Sequence, residues 1–232
     1  MEKTYLDDNK KIWVIENFLT QEEIDWFKVQ TDDPNGWYAT MRSPYGNILN
    51  KFLDVLPVYD NEGKIEFPNQ FSKSIDLPVF SSPGGIWERL ESVLPEGYRR
   101  HATLQTFKYM TDEEIQTNLN HAFFEPYNTP EVTIQKDKID FAMYWHYDPG
   151  LESNILISFS LYLNDDFDGG ELEFANLPIK IKPKSGMLVG IPGGEFYTHR
   201  VAKVLGPNSR HTLYGNSYVN PQSAPISTAD DC

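Results

Sequence analysis

Residues 154–164 read NILISFSLYLN, and this stretch decides the fold. Ile155, Ile157, Phe159, Leu161 and Leu163 alternate with Asn154, Ser158, Ser160 and Tyr162, the period of a strand with one apolar face. The chain downstream keeps that rhythm. DDFDGG (165–170) is a turn, in which Gly169-Gly170 fits a hairpin, and ELEF (171–174) is a short strand. IKIKPKSG (179–186) alternates Ile with Lys before a turn at Ser185-Gly186, and MLVGIP (187–192) is a continuous apolar run compatible with a buried strand. YTHRVAKV (197–204), the turn LGPNS (205–209) and RHTLYGNSYV (210–219) complete the series. About eight short strands separated by turns, with no helix among them after residue 140, point to a mainly β fold, a double-sheet jelly roll or double-stranded β-helix.

Upstream, KIWVI reads as a strand and TQEEIDWFKVQ as a helix beginning at Gln21. Thr20 and Glu23 have capping-box spacing, and Leu19 and Ile24 take the staple positions around that cap. PGGIWERLESVL (83–94) resembles a second helix stopped ahead of Pro95, and HATLQTFKYM (101–110) alternates enough to be a strand. Between the helices, residues 31–80 are loop-like, with turns marked by DDPNG, SPYGN and NEGK. Residues 111–139 are polar and poorly periodic and read as an insertion or lid. The expected organisation is one domain over 1–219: N-terminal helical support to about residue 100, the insertion at about 111–139, a jelly-roll core over about 140–219, and a flexible tail over 220–232.

Composition agrees with the β-rich reading. The 232 residues include 14 Phe, 13 Tyr, 5 Trp, 16 Pro and 15 Gly, which favours strands and turns over a helical bundle. Twenty Lys and Arg against 34 Asp and Glu give a net charge of −14, a surface that repels polyanions, so neither nucleic acid nor a membrane is an expected partner. The one cysteine, Cys232, allows no intrachain disulfide and no cysteine-based zinc site, which fits a reducing, cytoplasmic setting. MEKTYLDDNKK lacks the apolar run of a signal peptide.

The chemistry is sought among five histidines: His101, His121, His146, His199 and His211. In WHYDPG (145–150), His146 and Asp148 are one residue apart, and a strand turns residues i and i+2 to one face. The pair can therefore offer an imidazole nitrogen and a carboxylate oxygen to a single point. Such pairs also arise by chance, and a lone histidine is more often structural. A jelly roll can fold the strand of His199 back beside 146–148, and two imidazoles with one carboxylate then make a facial triad that leaves coordination positions open on Fe(II). Arg210, eleven residues after His199 and beyond a Gly-Pro-Asn turn, has a guanidinium fork suited to a carboxylate, and Thr212 at i+2 faces the same way. The acidic run Asp165, Asp166, Asp168, Glu171 and Glu173 does not have EF-hand spacing and reads as a turn. His211, alternating away from Arg210, reads as structural or surface.

HYD, SLYLNDDFDGGELEF, PKSGMLVGIPGGEFYTHRVAKV and SRHTLYGNSYV together resemble the Fe(II)/2-oxoglutarate-dependent dioxygenase superfamily, in particular its prolyl 4-hydroxylase-like branch, whose usual opening IWVIENFLTQEEIDWF also resembles. The similarity covers most of 140–219, with weaker support at 11–30. It implies His146, Asp148 and His199 as catalytic iron ligands, and Arg210, assisted by Thr212, as the partner of the distal carboxylate of 2-oxoglutarate. A tyrosine that helps hold 2-oxoglutarate usually lies about ten residues before the first ligand, but the neighbours of Lys136 include none. With 111–139 inserted, Tyr109 becomes its equivalent, and Tyr144 is the other candidate. Prolyl 4-hydroxylases often carry lysine in place of Arg210, and either cation pairs with a carboxylate.

The resemblance implies a hydroxylase using Fe(II), 2-oxoglutarate and O2, with ascorbate as reductant and release of succinate and CO2. The expected substrate is a peptidyl residue, proline first, or a small molecule. Rival readings of the same residues are a cupin-type isomerase or hydrolase using Zn or Mn as a Lewis acid, and a non-catalytic jelly-roll binding module. Tyr144, Trp145 and Tyr147 either face the substrate or pack the sheet.

Overall fold

The computed structural model describes residues 1–32, 38–39, 48–54, 58–59, 65–66, 83–95, 99–100, 104–114, 140–148 and 156–218. His101, His121, the tail 220–232 and most of the expected insertion at 111–139 lie outside these residues. In chain order the elements are β1 (Thr4–Tyr5), β2 (Trp13–Ile15), α1 (Gln21–Asp32), β3 (Tyr38–Ala39), β4 (Ile48–Asp54), β5 (Val58–Tyr59), β6 (Ile65–Glu66) and α2 (Ile86–Val93). They continue with β7 (Arg99–Arg100), β8 (Leu104–Tyr109), β9 (Phe141–His146), β10 (Ile157–Tyr162), β11 (Asp168–Gly169) and β12 (Leu172–Phe174). Last come β13 (Lys180–Ile181), β14 (Leu188–Pro192), β15 (His199–Ala202), β16 (Val204–Leu205) and β17 (Arg210–Tyr218).

Two antiparallel sheets make the jelly roll. The larger runs β1-β2-β14-β10-β17-β8-β4-β3, with β7 also paired to β17, and the smaller runs β13-β12-β15-β9. The alternation along β10 explains how the layers stack. Ile157, Phe159 and Leu161 point outward into a core completed by Phe18, Ile24 and Phe27 of the α1 region and by Ile86, Trp87 and Leu90 of α2. The other face turns inward: Tyr162 joins a second core between the sheets, while Ser158 and Ser160 line a cavity there. A serine occupies far less volume than the apolar residues opposite, so the polar half of this strand leaves open space inside the barrel. In β14, Leu188 joins the outer core while Val189 and Ile191 join the inner one, which is why its sequence does not alternate. At Gly190 a Cβ would overlap the indole of Trp13, so glycine here admits close packing of β2 on β14.

The first helix starts where its cap predicts. The Thr20 hydroxyl accepts from the Glu23 N–H at 3.2 Å and the Glu23 carboxylate accepts from the Thr20 N–H at 2.8 Å, a reciprocal capping box. α2 ends at Val93, ahead of Pro95. Among the described residues no helix is long and apolar enough to cross a membrane.

Three expectations change. The segment 31–80, read as loop, contains β3, β4, β5 and β6, and β4 pairs with β8 from Ile48 opposite Tyr109 to Asp54 opposite Leu104. ILNKFLD has no clean two-residue alternation, so the ladder with β8, and no local pattern, defines that strand. The N-terminal part is therefore not purely helical support: β1 to β4 extend the larger sheet. Gly169-Gly170 closes no hairpin either; β11 pairs with β16 and β12 with β13 and β15. Both glycines have positive φ, and a Cβ on Gly170 would press on the Arg210 side chain, so the pair carries the chain past Arg210 into the smaller sheet.

Candidate active site

β9 and β15 are antiparallel neighbours, and their register sets His199 directly opposite His146. The two rings lie 4.4 Å apart between centroids. In each, Nδ1 is hydrogen-bonded to the carbonyl two residues back: Tyr144 O at 2.8 Å for His146 and Tyr197 O at 2.9 Å for His199. A carbonyl only accepts, so Nδ1 donates and a neutral imidazole presents the lone pair of Nε2. A carbonyl bonded to Nδ1 orients metal-binding histidines in the same way.

Asp148 is not on the strand with His146. β9 ends at His146, and Asp148 lies two residues beyond, buried, its carbonyl accepting from the Gly194 N–H at 2.8 Å. One carboxylate oxygen, Oδ1, accepts from the Tyr214 hydroxyl at 3.0 Å. The other, Oδ2, is buried with no hydrogen-bond partner and stands 4.0 Å from His199 Nε2. Two adjacent ligands of an octahedral ion at about 2.1 Å each stand about 3 Å apart, so this pair is slightly wider than a loaded site. Correspondingly, among the described residues no three His, Cys, Asp or Glu stand close enough together to hold a metal ion as they are placed. The chemistry of the donor set nevertheless fits a hard-to-borderline divalent ion such as Fe(II): two neutral imidazoles and a carboxylate whose buried oxygen lacks a partner.

Arg210 begins β17, which pairs with both β10 and β8 and so occupies the middle of the larger sheet. It is 2 % exposed, yet Nε and Nη1 have no hydrogen-bond partner. Its guanidinium carbon lies 4.4 Å from the ring centroid of Tyr109 and 4.9 Å from that of Tyr162. Two π faces offset part of the cost of burying the cation but occupy none of its N–H donors. Burial pushes the Tyr162 phenol above its ordinary range, and the adjacent guanidinium opposes that rise. An anion reaching this end would find unused donors in a dry setting, where a charge-assisted bond is strong.

Tyr109, His146, Asp148, His199, Arg210 and Tyr214 all line one pocket of about 420 Å³, its open mouth included. The structure thus brings together His146, Asp148, His199, Arg210 and Tyr109. Thr212 is buried on the Arg210 face of β17 but does not line the pocket. Tyr144 does not line it either: the ring is 45 % exposed and lies edge-on to His146 at 6.0 Å, while its carbonyl orients that histidine. Trp145, Tyr147 and Phe196 are also exposed near His146 and His199 in sequence, and Arg200 covers one face of Trp145.

Sequence reasoning missed Tyr214 and Tyr162. Their signal was present in the alternation, since Arg210, Thr212 and Tyr214 share a face and Tyr162 sits opposite Thr212. His211 points the other way, where burial first, and then Lys108, lower its pKa to about 4. The acidic run is taken up structurally: Glu173 pairs with Lys180 and Arg200, and Asp166 accepts from Asn164 and Asn208.

Residues 134–218 match the model of the 2OG-Fe(II) oxygenase superfamily. Compared with curated proteins, the sequence has no match. Among solved structures, a Pseudomonas putida prolyl-4-hydroxylase superposes with a TM-score of 0.53 at 16 % identity, over 90 % of this chain and 93 % of that one. A Trichoplax adhaerens prolyl hydroxylase, in complex with a peptide fragment of the hypoxia inducible factor oxygen degradation domain, gives 0.53 at 11 % identity over 94 % and 87 %. A 2OG-Fe(II) oxygenase family oxidoreductase from Burkholderia pseudomallei gives 0.53 at 12 % over 90 % and 85 %. At such identities these neighbours establish the jelly-roll fold alone, and it is the segment 134–218 that is similar to the 2OG-Fe(II) oxygenase superfamily.

Proposed function

We propose that this protein is an Fe(II)- and 2-oxoglutarate-dependent hydroxylase acting on a C–H bond of a peptidyl residue, proline first, with small molecules as the other substrate class. The observation that carries the reading is a cavity with two unmet opposite charges: Asp148 Oδ2 beside two Nε2-presenting histidines, and Arg210 with unused donors. A Lewis-acid enzyme with the same ligands, or a binding module, does not require 2-oxoglutarate at that guanidinium.

In this reading His146, Asp148 and His199 hold the iron, and Arg210 binds the distal carboxylate of 2-oxoglutarate, with Tyr109 stacked on the guanidinium and Thr212 behind it. Bound there, Fe(II) supplies the coupling of 2-oxoglutarate decarboxylation by O2 to hydroxylation of the substrate, with succinate and CO2 released and ascorbate keeping the metal reduced. The chain's own part is to orient the cosubstrate and exclude water. Met143, Leu172, Ile191 and Val201 give the pocket apolar walls, which strengthen every charge interaction inside it. A peptide substrate is favoured by the peptide-bound Trichoplax neighbour and by the exposed rings of Tyr144, Trp145, Tyr147 and Phe196, which suit an extended, proline-containing chain.

Purified protein given Fe(II), ascorbate and 2-oxoglutarate should release succinate, increasingly so in the presence of a hydroxylatable peptide. A yield no greater than that of His199→Ala, across peptide and small-molecule candidates, would remove the catalytic claim.

A further inference from the structure

We infer that Tyr214 is a positioning residue that fixes how Asp148 is presented to the metal; the inference rests on the iron site proposed above. Asp148 lies past the end of β9, so no strand ladder holds it, and the one backbone bond at its carbonyl leaves its carboxylate free to turn. The Tyr214 hydroxyl stops that rotation with its hydrogen bond to Oδ1.

Proton accounting assigns the direction. A carboxylate only accepts, and a phenol has one proton to give. Ser158 Oγ stands 3.4 Å from Tyr214 Oη, and Ser158 donates its own proton to Asn216 Oδ1 at 3.0 Å. The Tyr214 proton therefore belongs to Asp148. The phenol is itself held, its ring edge-on to Phe107 at 5.7 Å, so the hydroxyl cannot follow a drifting carboxylate. With Oδ1 occupied, Oδ2 is the oxygen that remains, and it is the one on the His199 side. Tyr214 thereby selects a single oxygen as ligand and orients it before any metal arrives, as outer-shell partners do. Tyr214 also lies four residues, about 13 Å of strand, from Arg210 on one face of β17. A single strand thus sets the position of both charged ends of the cavity.

The test uses the full chain and Co(II) alone, titrated by visible absorption, with Tyr214→Phe and Ser158→Ala beside the wild type. Tyr214→Phe keeps the ring on Phe107 and removes only the hydroxyl. Its Co(II) dissociation constant should rise about 10- to 100-fold with an altered band, at unchanged thermal unfolding of the metal-free protein. Ser158→Ala, which removes the adjacent hydroxyl but no contact with Asp148, should stay within about twofold of wild type. Equal affinity and an identical band for Tyr214→Phe would overturn the inference, as would equal weakening by both variants or failure of Tyr214→Phe to fold, either of which makes the role structural. A wild-type chain that takes up no Co(II) would overturn the iron site itself, an outcome distinct from those three.

Discussion

The two ends of the cavity bury opposite charges and treat them differently. At one end Asp148 has Oδ1 bonded to Tyr214 and its carbonyl bonded to Gly194, and one oxygen is left over. At the other, Arg210 lies between two tyrosine rings, with Nε and Nη1 left over. A buried carboxylate can shed its charge by taking a proton, whereas a guanidinium cannot. The cationic end therefore needs a permanent countermeasure, which the π faces of Tyr109 and Tyr162 provide without using its donors. Both ends are stable enough to stand ready, and both keep the atoms a ligand would need.

The largest effect should come from removing the permanent charge. Arg210→Met should raise the 2-oxoglutarate concentration needed for half-maximal succinate release by about 100-fold, the loss expected on removing a buried ionic partner. The same variant should unfold no more easily than wild type when metal and cosubstrate are absent, because it also removes a buried charge whose Nε and Nη1 lack acceptors. A marked drop in its melting temperature would mean that Arg210 has an acceptor in the free protein. 2-Oxoglutarate should raise the melting temperature of the wild type and leave that of Arg210→Met unchanged.

A second, smaller effect is expected on the outward face of the same strand, at the half-buried His211. Its pKa is lowered from 6.5 to about 4, chiefly by burial. The unfolded chain therefore takes up a proton near pH 6.5 that the folded protein refuses until about pH 4, so stability is full above this window and falls as the pH drops through it. Urea midpoints at about pH 7 and about pH 4.5 should differ more for the wild type than for His211→Gln. Equal losses would assign the acid sensitivity to other groups.

The smallest effect concerns the ring faces themselves. The Tyr162 hydroxyl is buried with no hydrogen-bond partner, so Tyr162→Phe, which keeps the ring on Arg210, should change stability by less than about 1 kcal/mol, or raise it. Tyr162→Leu, which removes the π face, should destabilise clearly more. If the two variants behave alike, packing and not the π face compensates Arg210.

Much of this architecture can be read in the chain. The alternation of residues 155–163 gives β10 and its two faces, the Thr20 and Glu23 spacing gives the start of α1, and the His-x-Asp pair with His199 and Arg210 gives four side chains that the fold brings into one pocket. These are local patterns, or patterns repeated along successive strands. What was not legible depends on partners far away in sequence. β4 exists because β8 offers it a ladder, and its own residues do not alternate. The inward serines of β10 look like an ordinary solvent-facing row until the smaller sheet closes over them. Tyr214 meets Asp148 across 66 positions, a contact that its place two residues beyond Thr212 hints at but cannot specify. Asp148 itself shows the limit of the spacing rule: the pair converges with His199, but Asp148 does so from beyond the end of β9 and not by strand geometry.

In the proposed site, His146, Asp148 and His199 hold one metal ion within reach of the Arg210 end. Crystals grown with Mn(II) as an inert stand-in and an unreactive dicarboxylate would test it by anomalous scattering. One strong peak is expected, bounded by His146 Nε2, Asp148 Oδ2 and His199 Nε2, with the far carboxylate of the dicarboxylate on Arg210. A peak at any other site, or none at full Mn(II) occupancy in solution, would contradict it.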